Sequence, residues 1–224
     1  VWVLVAQHNG QWRMVMGLMI GGGGGSAKVY LKYNAKSGRW SVRNLDGSEN
    51  EINDPTFAAD IGNIATGWML FEKGMPPQRV MDPDVSTPAP KPAGGDYKRG
   101  FILNVYSKNL FGGVAEISGT SNVLANVIKN LYAAFELGKA ENAGKVPVVE
   151  CRGASAEKGK FGTNYAPNLA ITKWIDRPDD LPNESPAHPN DIYTGSTSTA
   201  ASKPADGHVP PPSPKPLSSP ATEF

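Results

Sequence analysis

The chain is predicted to fold as a mainly β domain, with short strands curled around one core and a single helix late in the order. Three observations carry this. Apolar residues alternate in runs of about five between Val29 and Ile175, and each run is bounded by turn residues. Only Val123–Phe135 repeats at helical spacing. Composition breaks at both ends, at Gly21–Gly25 and after residue 177, where 11 of the 20 prolines lie. At 224 residues the chain suffices for one ordinary domain with appendages. The reading is a non-core extension and Gly linker over 1–25, one domain over 26–177, and a disordered, Pro/Ser-rich, mildly acidic tail over 178–224.

Val1–Ile20 has two apolar patches split by Gln7–Arg13, and the chain opens on valine. Neither patch approaches the ~20 apolar residues of a membrane span, and the pattern is not that of a signal peptide. These residues are expected to stand outside the fold. Val29–Tyr33 alternates, Asn34–Gly38 supplies a turn, and Arg39–Arg43 alternates back, which predicts an N-terminal β-hairpin. Val29, Leu31 and Tyr33 share one face. Tyr30 and Lys32 share the other, and Arg39, Ser41 and Arg43 oppose Trp40 and Val42. Pro55–Gly74 holds Ile61, Ile64, Trp68, Leu70 and Phe71; its glycines disfavour a helix, so a strand near Ile64–Phe71 is expected. Gln78–Met81 is a short strand, and Pro83–Gly95 a Pro- and Gly-rich surface loop.

Lys98–Thr120 is the central stretch. Phe101, Leu103 and Val105 define a core face, while Lys98, Asn104, Tyr106 and Lys108 define an outer one. Arg99 shares the core parity and joins the outer set only as a strand-end cation. Gly112-Gly113 turns into Val114–Ile117. Ser121 or Thr120 is the cap candidate of the helix, and Gly138 ends it. Val146–Arg152 and Leu169–Ile175 are the last strands, joined by a loop with Lys158, Lys160 and Phe161. One helix between the third and fourth core strands of an otherwise five-stranded β domain matches the oligonucleotide-binding (OB) type of barrel. An α+β sandwich is the alternative.

Charge distribution narrows the function. Residues 26–177 hold 19 Lys+Arg against 15 Asp+Glu, and the tail holds 2 against 6. The histidines, His8, His188 and His208, all lie outside the body, which removes a histidine base or histidine metal site from it. Cys151 is the only cysteine, so no intrachain disulfide forms, and its strand-like setting reads as packing. Asp60, Asp82, Asp84 and Asp96 neighbour Pro or Gly and read as turn aspartates. No phosphate-loop motif is present. No enzyme, metal or cofactor is expected. What remains is binding: Lys98, Arg99, Asn104, Tyr106 and Lys108 on the central strand, Lys32, Arg39 and Arg43 on the hairpin, and Lys158, Lys160, Phe161 and Tyr165 near the last turn. Cations that track phosphates and rings that stack on bases are what a single-stranded nucleic acid needs.

The blocks NIATGWMLFEKGMPPQRVMDP, YKRGFILNVYSK, GGVAEISGTS, KVPVVECRG and KGKFGTNYAPNLAITKWIDRP resemble bacteriophage and prophage single-stranded-DNA-binding proteins with an OB fold. The likeness spans about 26–178. It implies coating and protection of single strands during phage replication or recombination, in the cytoplasm of a bacterial host, without a cofactor. It also implies a C-terminal tail that recruits replication or recombination proteins. Glu223 and Phe224 match that tail's acidic and aromatic end, although its acidity is weaker than the family's. Whether the chain is a homo-oligomer is left open. The alternative is a structural or partner-recruiting module whose sheet face binds protein.

Overall fold

The computed structural model describes residues 28–72, 75–159, 162–186 and 191–193. The expectations for residues 1–25 and for the tail beyond 193 lie outside these described residues. The elements in order are β1 (Tyr30–Asn34), β2 (Arg39–Arg43), β3 (Glu49–Ile52), β4 (Thr56–Ala59), a 3-10 turn (Ile61–Asn63), β5 (Ala65–Leu70), β6 (Gln78–Met81) and β7 (Lys98–Ser107). Then come α1 (Lys108–Phe111), β8 (Gly113–Gly119), α2 (Asn122–Gly138), β9 (Lys145–Gly159), β10 (Gly162–Asp176) and β11 (Asp191–Tyr193).

Among the described residues these strands form one open, mixed, eleven-stranded sheet whose main path runs β10-β9-β4-β7-β8-β1-β2-β3. Neighbours on that path are antiparallel except β1 with β8. The local reasons are plain at the first hairpin. Asn34 Oδ1 accepts from the Lys36 amide at 2.9 Å, and Gly38, at φ 71°, takes the left-handed position that closes the turn. β7 organises the rest. β8 lies along one edge; β4 and β5 share the other, β4 pairing Tyr106 and Val105, β5 pairing Lys98 through Ile102. The break between β4 and β5 is the 3-10 turn, where the Asp60 amide donates to the Asn104 carbonyl at 2.9 Å.

The main core lies on one side of this sheet. Leu31, Trp40 and Val42 from β1 and β2, Phe101, Leu103 and Val105 from β7, and Val149 and Cys151 from β9 pack against Leu124, Ile128, Leu131 and Phe135 of α2. These four helix positions recur at i, i+4, i+7 and i+11, the stripe an amphipathic helix buries. On the reverse side Ile102 packs with Ala65, Met69 and Met81, and a third cluster joins Ala58, Val146 and Leu181.

Two expectations need correction. The sheet is not a closed five-stranded barrel: there are eleven described strands, none of the ladders joins β3 to β10, and α2 follows the eighth strand rather than the third. The sheet curls strongly all the same, since Trp40 Nε1 on β2 donates to Cys151 Sγ on β9 at 3.3 Å although five places separate those strands on the path. The body also runs past residue 177. Leu181 is 2% exposed, Ser185 Oγ donates to the Asn63 carbonyl at 3.0 Å, and β11 adds to β6 in parallel.

Candidate nucleic-acid interface

The three predicted patches take different positions. On β7 the outer face is not a solvent face. Asn104 is only 8% exposed, and Tyr106 is half-buried beside Ala58, Val146 and Leu181. These two residues therefore leave the candidate interface. The reason is that β7 is covered on both sides, as strands written as continuous apolar runs are, and Ile102 shares the parity of Asn104 and Tyr106. Lys98, the first residue of β7, and Lys108, the first residue of α1 just beyond it, are exposed, with Lys98 Nζ 3.1 Å from Asp96.

Arg99 is built into the protein. Its Nη1 donates to Asp82 Oδ1 at 2.7 Å and its Nη2 to Asp82 Oδ2, and its guanidinium lies 5.4 Å from the centroid of the Trp68 ring. Lys91 approaches the same ring at 5.6 Å, and Trp68 Nε1 donates to the Ala89 carbonyl at 2.8 Å. Burial raises the Asp82 pKa, but hydrogen bonds from Arg99, Thr66 and the Ala89 amide outweigh it and hold the carboxyl below the usual range. Asp82 is thus a buried acceptor rather than a turn aspartate. So is Asp60, 1% exposed, whose Oδ1 accepts from Arg177 Nη2 at 2.6 Å and from Asn63 Nδ2 at 3.2 Å.

The hairpin and the last two strands come together. β9 and β10 form a long ribbon of 15 residues each, and from Arg152 to Gly159 every β9 residue is exposed. The Tyr165 amide donates to the Ala35 carbonyl in the hairpin turn at 2.7 Å, and Tyr33 Oη donates to the Tyr165 carbonyl at 2.8 Å. A Cβ at Gly38 would stand 3.1 Å from that of Tyr165, so the turn and the ribbon meet at close range. Burial, and then the nearby Cys151, push the Tyr33 hydroxyl up to about 12, which keeps it a donor. Arg39 follows Gly38 directly. Tyr165 pairs with Ala156, and Lys158 lies two positions further along the same strand, ~7 Å away. Arg39, Tyr165 and Lys158 therefore mark one strip from the hairpin turn onto the ribbon. Lys160 and Phe161, at the ribbon's tip, lie outside the described residues, as do Glu223 and Phe224.

Acidic partners temper this strip. Lys32 Nζ is 2.9 Å from Glu49, and Arg39 Nη1 is 2.6 Å from Glu51. Ser41, then Lys32, donates to Glu49 and holds its carboxyl below the ordinary value. Arg43 pairs across the strands with Tyr30 and with Glu49. Sequence reasoning missed a buried polar set on the sheet's reverse side. Glu116, 1% exposed, accepts from Arg79 and Lys28 at 3.4 Å each, and Arg79 Nη1 lies 3.9 Å from Asp191. The one available signal was parity, since Glu116 alternates with Ala115 and Ile117; alternation alone marks that face as solvent. Among the described residues no helix is long and apolar enough to cross a membrane. The chain has no match among protein-family models, curated proteins or solved structures.

Proposed function

We propose that the protein binds single-stranded DNA without sequence preference, along the strip that joins the hairpin turn to the β9–β10 ribbon. The observation that carries this is the succession of Arg39 beside the hairpin turn, half-buried Tyr165 and exposed Lys158 on the ribbon, tied by the Tyr165–Ala35 backbone bond. A guanidinium and an ammonium can follow the phosphates, and the ring between them offers a stacking surface worth ~1–3 kcal/mol per base. The resemblance to phage and prophage single-stranded-DNA-binding proteins supports the same reading. Under it the protein coats and protects strands during phage replication or recombination in a bacterial cytoplasm. No cofactor is needed, and Glu223 and Phe224 would serve as a handle for partner proteins.

The test is titration with poly-dT, followed through intrinsic tryptophan fluorescence, at several salt concentrations. Saturable binding that weakens as salt rises is expected, because each phosphate contact releases counterions. Lys158→Ala should weaken binding uniformly across sequences and reduce the salt slope by about 1. No binding at low salt, or duplex bound as tightly as single strand, would sink the reading.

A further inference from the structure

A second candidate site lies away from the ribbon, in a cleft of about 420 Å³ between one flank of α2 and strands β5 and β7. Its size falls in the range of small-molecule sites, about 300–1,000 Å³. The floor is apolar: Ile64, Phe101 and Ile128 line it, and all three are buried. The wall is a polar stripe on α2. Asn122, Asn126 and Lys129 recur at i, i+4 and i+7, next to the stripe that packs on the sheet, with the half-buried Tyr132 at the end. Ala125 leaves the space between them open. Opposite stands Arg99, whose guanidinium is fixed by two hydrogen bonds to Asp82 and by the Trp68 ring.

The charged residues lining the cleft, Arg99 and Lys129, are both cations. Arg99 is 40% exposed, so part of its guanidinium still reaches solvent beside the cleft. An orienting carboxylate behind a half-exposed arginine is an arrangement that presents a guanidinium without a large ordering cost. We propose that this cleft binds a single nucleotide, its phosphate between Arg99 and Lys129 and its base on the Ile64–Phe101–Ile128 floor. The Asn122 and Asn126 side-chain amides each offer a donor and an acceptor to a base edge. A purely apolar ligand leaves the cations unused, and a free phosphate leaves the floor empty. The site is separate from the ribbon strip, so it stands or falls independently of strand binding.

The experiment is isothermal titration calorimetry of the full-length protein with deoxyadenosine 5′-monophosphate, with deoxyadenosine and inorganic phosphate as separate arms. Saturable binding of the nucleotide is expected, with each fragment weaker by at least about tenfold, because each gives up one half of the contacts. Ala125→Trp fills the cleft and should abolish binding. Lys129→Gln, on the exposed side of α2, leaves the fold intact and should weaken the nucleotide about tenfold while leaving deoxyadenosine unchanged. Absence of saturable nucleotide binding overturns the proposal. So does nucleotide binding that both variants leave unchanged. Nucleotide binding in a protein that ignores poly-dT supports this site and removes the ribbon reading alone.

Discussion

Replacing Asp82 with Asn probes a buried carboxylate that joins β5, β7 and the loop at Ala89. The carboxylate is 2% exposed and accepts four hydrogen bonds: Ala89 N and Arg99 Nη1 on Oδ1, Thr66 Oγ1 and Arg99 Nη2 on Oδ2. An amide restores only one acceptor oxygen. In one orientation its NH₂ faces Thr66 and Arg99, in the other Ala89 and Arg99. The threonine hydroxyl can rotate and accept, so the first orientation wins and one charge-assisted bond to Arg99 is lost outright. Bonds to charged groups are worth about 1.5–3 kcal/mol. Arg99 is 40% exposed and regains some water, which discounts the loss to about 2 kcal/mol. For a domain of this size that is a fall in Tm of roughly 4–8 °C. The pH dependence is sharper evidence. The folded-state carboxyl is depressed, so its stabilisation is complete above the unfolded value near ~3.9 and disappears as pH falls through the lower folded value. Urea denaturation of both proteins from neutral pH to about pH 3 should therefore show a constant gap that narrows only at the acid end. A variant as stable as the parent at neutral pH, or a gap that widens on acidification, refutes the reasoning.

Gly67→Ala should destabilise by about 1–3 kcal/mol, read from the urea midpoint, because the new Cβ would lie 2.5 Å from the Val80 carbonyl oxygen and 2.9 Å from Met81 Cα. Both are backbone atoms of β6 and cannot turn aside; a change within about 0.5 kcal/mol would show that the two strands part easily. Cys151 is 3% exposed, and burial pushes its thiol pKa up despite the hydrogen bond from Trp40. It should react with a disulfide reagent slowly in the native protein and at once in urea; immediate stoichiometric reaction at neutral pH would contradict the burial.

The elements that were legible in the sequence are those whose pattern is local. The β1–β2 turn announces itself through Asn34 and Gly38, and α2 through a 3.6-residue stripe from Leu124 to Phe135. What stayed hidden depends on partners distant in the chain. Alternation assigned Asn104 and Tyr106 to solvent, yet the strand reads Phe-Ile-Leu-Asn-Val, and Ile102 between two core residues is the mark of a strand covered twice. Asp82 reads as a turn aspartate, and nothing local singles out Glu116, because their cations, Arg99, Arg79 and Lys28, come from other strands and loops. The predicted barrel required the last strands to close on the first. The 15-residue ribbon instead touches the hairpin turn at Tyr165, and no feature of either strand alone specifies that meeting point.

Pairing also changes how the basic residues should be counted. On the outer face of β1–β3, Lys32 and Arg39 sit against Glu49 and Glu51, and Arg43 lies opposite Glu49. Exposed pairs of this kind contribute about 0–1 kcal/mol, so a phosphate can displace either carboxylate at little cost. The displaced carboxylate still repels the incoming strand, however, and Glu49 stays ionised because Ser41 and Lys32 lower its pKa. Under the proposed strand binding the hairpin therefore adds few net charges, and Lys158 on the ribbon counts for more than a tally of lysines and arginines implies. Removing the repulsion should show this. The double variant Glu49→Gln, Glu51→Gln frees Lys32 and Arg39 for phosphate and should tighten poly-dT binding at low salt. It should also steepen the dependence of log K on log salt by up to about two phosphate contacts. Weaker binding in the double variant would mean that these carboxylates position Arg39 for the strand rather than compete with it, and the hairpin would then be a prepared part of the interface.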